Sequence, residues 1–337
     1  MAAYTTIDDP ELYFQCKIWT GTGSSNALTF DGENDMQPDL VWIKERGGTE
    51  GHQLFDAVRG QGKDLHTNST DSESDSTTRL TAFGSNGFTV VSDDSVNGSS
   101  KTYVAWCWKE SSTSGVDVAL YTGNATAGHT ASHSLGVAPN VVIVKSRSVA
   151  DGWAIFWKRP EAGNPIILGL DNALADRHST RYSPFFNSTA PTSSVFTLGS
   201  DTQVNTDNST NVGFCFAEKQ GFSKFGKYVG NGNSNGPCVW TGFRPAFIMF
   251  KPIGESSDWT ICDTKRNTHN PTADSTINAN LTTGDHDGGM DFDILSNGFK
   301  VRNANTDNNS SNSAGIVYMA FAEQPFVNSK GVPANAR

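Results

Sequence analysis

The chain has 337 residues and a formal net charge of −10, and it contains no run rich in Lys and Arg. This composition argues against a nucleic-acid-binding surface, which needs a basic patch. The 20 Phe, 8 Trp and 7 Tyr residues argue against disorder, because disordered segments lack the aromatic residues that build a core. No apolar stretch reaches the roughly 18 residues of a membrane span, and residues 1–15 lack the features of a secretory signal peptide. The sequence therefore predicts a soluble, folded protein that is made in a cytoplasm and does not insert into membranes.

The first recurring element is a short motif of an aromatic residue, Thr or Val, and Gly. Its three copies are Trp19-Thr20-Gly21, Tyr121-Thr122-Gly123 and Tyr228-Val229-Gly230. The copies lie about 100 residues apart, which exceeds the roughly 20–50 residues of a solenoid unit and matches a small domain. We therefore expect three copies of one domain in series.

A proline, an apolar run and a lysine come next in each block. The runs are residues 40–43, 141–144 and 247–250, and the lysines are Lys44, Lys145 and Lys251. A strand that is apolar at every position is expected to be covered on both faces. A middle strand and an arginine follow, and the arginines are Arg59, Arg159 and Arg266. Because these charged residues occur once in every block, we interpret them as part of the architecture.

Each block closes on an apolar strand that ends in Glu110, Glu218 or Glu323. Counting back from the glutamate, every second residue is bulky, and the residues between are mostly small. The bulky residues are Trp108, Trp106 and Val104, then Phe216, Phe214 and Val212, then Phe321, Met319 and Val317. Alternation with a period of two is typical of a strand with two different faces. We expect the bulky face to fill a core and the small face to admit a second sheet, another repeat or another subunit.

Short strands separated by turns predict an all-β fold of three tandem antiparallel β-sandwich domains with a jelly-roll-like architecture. The predicted boundaries are an N-terminal arm at 1–15, repeats at 16–112, 113–222 and 223–327, and a C-terminal tail at 328–337. Residues 110–115 are rich in Ser and Gly and are expected to form a flexible linker. Cys107 and Cys215 occupy a small apolar position that Ala320 fills in the third block, which predicts reduced core cysteines.

Four longer segments are specific enough to indicate a family. They include Tyr4-Thr5-Thr6-Ile7-Asp8 with Tyr13-Phe14-Gln15, Tyr103-Val104-Ala105-Trp106-Cys107-Trp108-Lys109, the stretch from Phe216 to Gly226, and the stretch from Ala322 to Pro333. Together they resemble virion structural proteins of marine tailed bacteriophages, which are commonly labelled tail fibre or tail proteins. The resemblance covers nearly the whole chain. It implies location in a virion, other virion proteins as partners and no catalytic residue.

One acidic loop is a candidate calcium site. Asp285, Asp287 and Asp291 lie close in sequence among glycines, and calcium takes several oxygen ligands. The loop lacks the glutamate that an EF-hand places at its end. We prefer a solvated turn, keep calcium as the alternative, and expect no other cofactor.

Trp157 and Asp287 are candidate glycan contacts. Trp157 precedes Lys158 and Arg159, and an exposed aromatic ring beside polar groups can stack on the apolar face of a sugar. Trp153 recurs as Trp259, which favours core packing for that position, whereas Trp157 is expected to be the more exposed ring.

The leading functional hypothesis is a non-enzymatic virion protein, a tail fibre or related appendage that contacts a host glycan or protein. The small strand faces suggest a symmetric homo-oligomer, for which a trimer is one candidate. The arm, with Tyr4, Tyr13 and Phe14, is expected to dock on the virion. One alternative is a head decoration or tail-adaptor subunit, and another is a carbohydrate-binding or carbohydrate-cleaving module. The phosphate-loop motif is absent from the sequence. The GxSxG match at residues 232–236 lies in a run of Asn, Ser and Gly and carries no weight outside a strand-turn-helix context.

Overall fold

The computed structural model of the chain describes residues 4–270, 275–286 and 289–335. Strands hold 39% of the residues and helices 6%, so the predicted all-β class is confirmed. The strands of these ranges pair antiparallel. None of the helices found in them has the length and apolar character that crossing a membrane requires.

The strands fall into three segments. The first, residues 14–108, follows a 3₁₀ helix at Pro10–Leu12 and contains β1 (Phe14–Thr20), β2 (Asn26–Thr29), β3 (Leu40–Glu45), β4 (Gln53–Asp56), β5 (Lys63–Asp64), β6 (Ser74–Asp75), β7 (Leu80–Gly84), β8 (Gly87–Val90) and β9 (Thr102–Trp108). The second, residues 116–216, contains β10 (Val116–Thr122), β11 (His129–Ser132), β12 (Val141–Ser146), β13 (Ala154–Trp157), β14 (Ile166–Leu168), α1 (His178–Phe186), β15 (Val195–Leu198), α2 (Thr202–Asn205) and β16 (Thr210–Phe216). The third, residues 223–325, contains β17 (Ser223–Tyr228), β18 (Cys238–Trp240), β19 (Phe243–Pro252), β20 (Thr260–Asp263), β21 (Ile277–Asn278), β22 (Phe292–Leu295), β23 (Gly298–Val301), α3 (Thr306–Asn309) and β24 (Ile316–Pro325).

Each segment builds a main sheet with the same order of neighbouring strands. The orders are β1-β9-β3-β4, β10-β16-β12-β13-β14 and β17-β24-β19-β20-β21. The pairing register also corresponds, with Trp42 opposite Trp106, Ile143 opposite Phe214, and Met249 opposite Met319. The doubly apolar strands β3 and β12 are buried at every position, because each has a neighbouring strand on both sides and apolar layers on both faces.

A smaller facing sheet covers one face of each main sheet. The facing sheets are β2-β8-β7, β11-β15 and β18-β23-β22. In the first segment, Val41 and Ile43 of the main sheet share a core with Phe88 and Val90 of the facing sheet. Each segment is therefore sandwich-like, with one large and one small sheet.

The small face of each closing strand lies beneath the facing sheet. Of the covers expected from the sequence, which were a second sheet, another repeat or another subunit, the structure shows the second sheet. A Cβ atom on Gly213 would lie 2.6 Å from Cζ of Phe196 in the facing sheet, so this close approach depends on glycine. Cys107 and Cys215 lie on the same face, buried and free. Their predicted role as reduced core residues is confirmed.

The bulky faces of the three closing strands meet in one central core. Ring centroids lie 5.8 Å apart for Trp106 and Phe247, 5.5 Å for Trp108 and Phe321, and 6.3 Å for Phe216 and Phe321. A residual void of about 20 Å³ is lined by apolar side chains from all three main sheets. The three segments therefore share a core, and the domain boundaries given above stay predictions.

The first junction differs from the flexible linker predicted for residues 110–115. Gly115 N donates to Ser111 O at 3.0 Å, and Ser114 Oγ donates to Lys109 O at 2.8 Å. Ser114 is fully buried, so this segment is a hydrogen-bonded turn. The segment is short because the main sheets on either side pack directly against each other.

Candidate functional site

Three ring nitrogens bind the main sheets to one another in cyclic order. Trp153 Nε1 donates to His66 O in the first segment at 3.1 Å, and Trp259 Nε1 donates to Gly169 O in the second at 2.8 Å. His52 takes the equivalent place in the first segment and lies 3.0 Å from Asn278 O in the third. These three bonds join each segment to another one, so the segments form a closed ring.

The tautomer of His52 follows from its hydrogen bonds. Trp42 Nε1 donates to His52 Nδ1 at 2.8 Å, so the proton lies on Nε2, which donates to Asn278 O. Burial, followed by the charge of Lys44, lowers the pKa of His52 to about 3. His52 is therefore a neutral structural link and is not placed to act as an acid or base near pH 7.

Buried arginines bridge two of the junctions through a shared carboxylate. Arg59 lies 3.1 Å from Glu73, and Glu73 also accepts two bonds of 2.8 Å from Arg147 of the second segment. Burial acts to raise the pKa of Glu73, but the hydrogen bonds from Arg147 and the positive charges of Arg59 and Arg147 together hold that pKa below its usual value. Arg59 is thus part of the architecture at this junction.

The junction between the third and first segments repeats this arrangement. Arg266 lies 2.6 Å from Asp263 and 2.9 Å from Asp285, and Asp285 also accepts from Arg46 of the first segment at 2.7 Å. Arg266 is the counterpart of Arg59. Both follow an aspartate by three residues, and their side chains are fully buried.

The second segment departs from the pattern. Trp157 stands where the others have Asp56 or Asp263, which places Pro160, not Arg159, in register with the buried arginines. Arg159 is partly exposed and lies 3.6 Å from Asp176. The sequence alignment of Arg159 with Arg59 and Arg266 was therefore wrong by one position.

Three lysines are buried at equivalent positions. Lys44 Nζ donates to Glu45 O at 2.7 Å, Lys145 Nζ to Ser146 O at 3.0 Å, and Lys251 Nζ to Ser257 O. Burial lowers the pKa of each ammonium to about 8. Each lysine binds a backbone carbonyl at or just beyond the end of a doubly apolar strand, so the repeated lysine fixes the end of that strand by hydrogen bonding.

Two of the closing glutamates, Glu110 and Glu218, contact the first strand of the following segment. The third, Glu323, pairs with Arg244 of its own segment at 3.3 Å. Glu218 accepts from Lys224 Nζ at 2.6 Å and from the backbone N of Phe225 at 3.5 Å. Glu110 lies in the same way beside Asp117, and burial together with that carboxylate raises the pKa of Glu110 to about 7. The first strand is an edge strand of its sheet, and the glutamate supplies an acceptor for its otherwise free N–H groups.

The structure describes two of the three calcium candidates, Asp285 and Asp291. Asp285 has both carboxylate oxygens bound by arginine side chains. The backbone carbonyl of Asp291 accepts from Arg302 N at 2.8 Å, and Asp287 lies outside the described residues. Among the described residues, no group of three His, Cys, Asp or Glu side chains is placed to hold a metal ion. Asp285 is therefore assigned to the ion pairs of its junction.

The glycan candidate Trp157 is buried, which corrects the expectation that its ring is exposed. Its exposed fraction is 0%, and its ring lies 6.2 Å from Trp259 and 6.3 Å from Phe225. The indole fills the part of the central core that Asp56 and Asp263 occupy with their arginines elsewhere. Trp157 cannot stack on a sugar in this fold, and Asp287, the other glycan candidate, is outside the described residues.

The N-terminal arm lies against the chain's own third segment. Tyr4 Oη donates to Gly242 O at 2.8 Å, and the Tyr13 ring lies 6.0 Å from Phe222. Phe14 is 2% exposed and stacks on Phe321 at 5.3 Å inside the central core. Of the three residues expected to dock on a virion, Phe14 therefore has no exposed ring for a partner, and the other two are half-buried.

Sequence reasoning missed a buried asparagine that recurs in all three segments: Asn97, Asn205 and Asn309. The Asn205 side chain accepts from Asn124 N at 2.8 Å and donates to Thr126 O and Gly199 O at 3.0 and 2.7 Å. Asn97 and Asn309 make the corresponding bonds. These side chains hold the loop after the opening glycine motif. Their similar distance before each closing strand was the signal that could have found them.

One aromatic residue is strongly exposed on the outer surface. Trp240, at the end of β18, is 62% exposed and lies opposite Gly298 in β23. Two cavities near the junctions hold about 260 Å³ each, one beside Cys16 and Lys265 and one beside Arg159 and Lys224. These volumes fall below the roughly 300–1,000 Å³ of small-molecule pockets. The outer surface around Trp240 is therefore the stronger candidate for contact with a partner.

A family model described as a domain of unknown function (DUF7483) matches residues 9–325. The match covers nearly the whole chain, and the chain therefore belongs to this family. No curated protein and no solved structure gives a significant match.

Proposed function

We propose that this DUF7483 protein is a non-enzymatic structural component of a virion, a tail fibre or related appendage that contacts the host surface. The resemblance of its longer segments to tail proteins of marine phages motivates the assignment. The observation that carries it is the closed ring of bonds from His52, Trp153 and Trp259. The lysines that recur in every segment fix loops, and Arg59 and Arg266 fix main sheets at two junctions, as expected for a rigid building block.

The proposal takes a single chain as the working unit. The sequence suggests a homo-oligomer because the faces of its strands must be buried against another surface. Within this chain, the small faces lie under the facing sheets and the bulky faces meet in the central core. A trimeric arrangement of separate chains is therefore not required to bury them.

The location of the protein in purified virions tests the proposal. Cryo-EM of the particle with this fold fitted, or labelling with a specific antibody, should place it on the tail. Particles from a phage that lacks the gene provide the control for the density and the label. Absence of the protein from intact virions would overturn the assignment.

The arm favours one alternative, a head decoration or tail-adaptor subunit. Because Tyr4 and Phe14 contact the third segment, docking on a virion would use the body of the protein rather than an extended arm. Density on the capsid or at the head–tail junction would favour this alternative over a fibre.

A further inference from the structure

The position of Trp240 does not require a tryptophan for folding. The three facing sheets align through the buried pairs Leu28–Phe88, Ala131–Phe196 and Val239–Phe299. The residue that follows in the first strand is Thr29, Ser132 and Trp240, respectively. Two of the three equivalent sites therefore carry a small hydroxyl residue in the same strand position, and the third carries a large ring.

The Trp240 ring takes no part in the ring packing of the described part of the chain. The other seven tryptophans each contact an aromatic or histidine ring of the chain. Trp240 makes no such contact and no side-chain hydrogen bond with the described residues, and it is 62% exposed. A large apolar ring left in water is typical of a contact residue, because tryptophan contributes strongly to binding once it is covered.

The outer face around this ring has an apolar row next to a polar one. Gly298 lies opposite Trp240, and Leu295 follows in the next strand. The neighbouring row holds Lys300 and Asp293, and Asp293 pairs with Arg302 at 3.4 Å. Gly298 is itself buried, and a Cβ atom on it would lie 2.0 Å from Val239 O, so the strand beside the indole depends on glycine at this position.

We propose that Trp240 is the stacking platform of a binding site for neutral hexose chains. A pyranose has an apolar C–H face the size of one indole and a rim of hydroxyl groups, which matches a single ring beside Lys300 and Asp293. A protein partner needs about 800 Å² on each side, whereas this face has a polar row directly beside the ring. The net charge of −10 disfavours polyanionic chains.

The inference deepens the proposed function, since it names the chemistry of the host surface that an appendage would recognise. It does not depend on location in a virion for its own test. Binding that depends on Trp240 in a protein absent from virions would leave the inference standing and remove the proposed function. If the protein is found in virions but Trp240 does not bind hexose chains, the proposed function stands and the inference fails.

The test compares the wild type with Trp240→Thr, which copies the first segment, and Trp240→Phe, which keeps a ring. The probes are maltohexaose, cellohexaose and mannohexaose, measured by calorimetry and by protection of tryptophan fluorescence from iodide. We expect at least one hexasaccharide to bind with about millimolar Kd and to protect the exposed indole. Trp240→Thr should weaken binding at least about tenfold and Trp240→Phe at most about threefold, since a ring is what the sugar covers.

Three results would overturn the inference. One is equal binding by Trp240→Thr with its thermal midpoint unchanged. Another is the absence of binding by all three hexasaccharides at about 10 mM, a concentration above the expected millimolar Kd. The third is a concentration-dependent dimer of the wild type that Trp240→Thr abolishes, because the ring would then belong to an interface between copies.

Discussion

At the scale of the residue, the three buried lysines are unusual because each is a charge enclosed by protein. Lys44, Lys145 and Lys251 are fully buried and bond to carbonyl oxygens. No carboxylate of the described residues lies within ion-pair distance of them. Hydrogen bonds to carbonyls satisfy the donors but do not neutralise the charge, which is why burial lowers the pKa of each to about 8.

The lysines should make stability rise with pH above neutrality. Between about pH 8 and 10.5 the unfolded chain holds protons that the folded chain has released, so the free energy of unfolding increases with pH. We expect Lys44→Met to reduce this slope by up to about 1.4 kcal/mol per pH unit. Urea denaturation at several values between pH 8 and 9.5 measures the slope. Lys158→Met, which removes an exposed lysine, is the control, and equal slopes in Lys44→Met and the wild type would contradict the assignment.

His52 should act in the opposite pH range. Its folded pKa is lowered to about 3 from the ordinary 6.5, so acid protonates the unfolded chain first and stability falls as pH decreases below 6.5. Between pH 6.5 and 5, the wild type should lose roughly 1.5 kcal/mol more than His52→Gln. Chemical denaturation at both pH values measures this difference. His269→Gln, at an exposed position, should retain the wild-type dependence; the prediction fails if His52→Gln does so as well.

At the scale of the element, the recurring asparagines connect loops that would otherwise be free. Asn205 satisfies one backbone N–H and two backbone carbonyls at the opening of the second segment. We expect Asn205→Ala to lower the free energy of unfolding by about 2–4 kcal/mol, because it leaves several buried polar groups unpaired. Asn164→Ala, at an exposed site, should change it by less than about 0.5 kcal/mol. Similar unfolding midpoints for both variants in guanidinium would refute this role.

The elements themselves were largely predictable from the sequence. Period-two alternation predicted the closing strands, and unbroken apolar runs predicted the doubly covered strands β3 and β12. The pattern shows that a face is buried but not what covers it, so the meeting of Trp108, Phe216 and Phe321 in one core was not foreseen. Trp157 was misjudged for the same reason, since a tryptophan at a strand end gives the same pattern whether it faces a core or water.

The candidate site was less predictable than the fold. Asp285 was read as an acidic loop residue because its partners, Arg46 and Arg266, are distant in sequence. Trp240 could have been found by aligning β18 with β2 and β11, since its counterparts are Thr29 and Ser132. Because the loops differ so much between the three segments, these strands can be aligned only once their strand pairing is known.

At the scale of the whole molecule, the shared core predicts that the three segments unfold together. Calorimetry should give one transition with equal calorimetric and van't Hoff enthalpies, and light scattering should give a mass near 36.2 kDa. Gly213→Val, which forces a side chain against Phe196, should lower the single midpoint by overpacking. Two or three separate transitions, of which Gly213→Val moved only one, would show that the segments are independent domains.

The contact between the arm and the last segment determines whether the order of the three segments along the chain can be permuted. Asp8 accepts from Ser329 N at 2.6 Å, and the Tyr4 ring lies 6.3 Å from Phe326. Residues 4–8 and 326–329 are therefore neighbours in space, and a short peptide between them would close the backbone into a circle. A gene permuted to start at the second segment and to end with the first should then encode the same body, since the folded ring has no preferred first member.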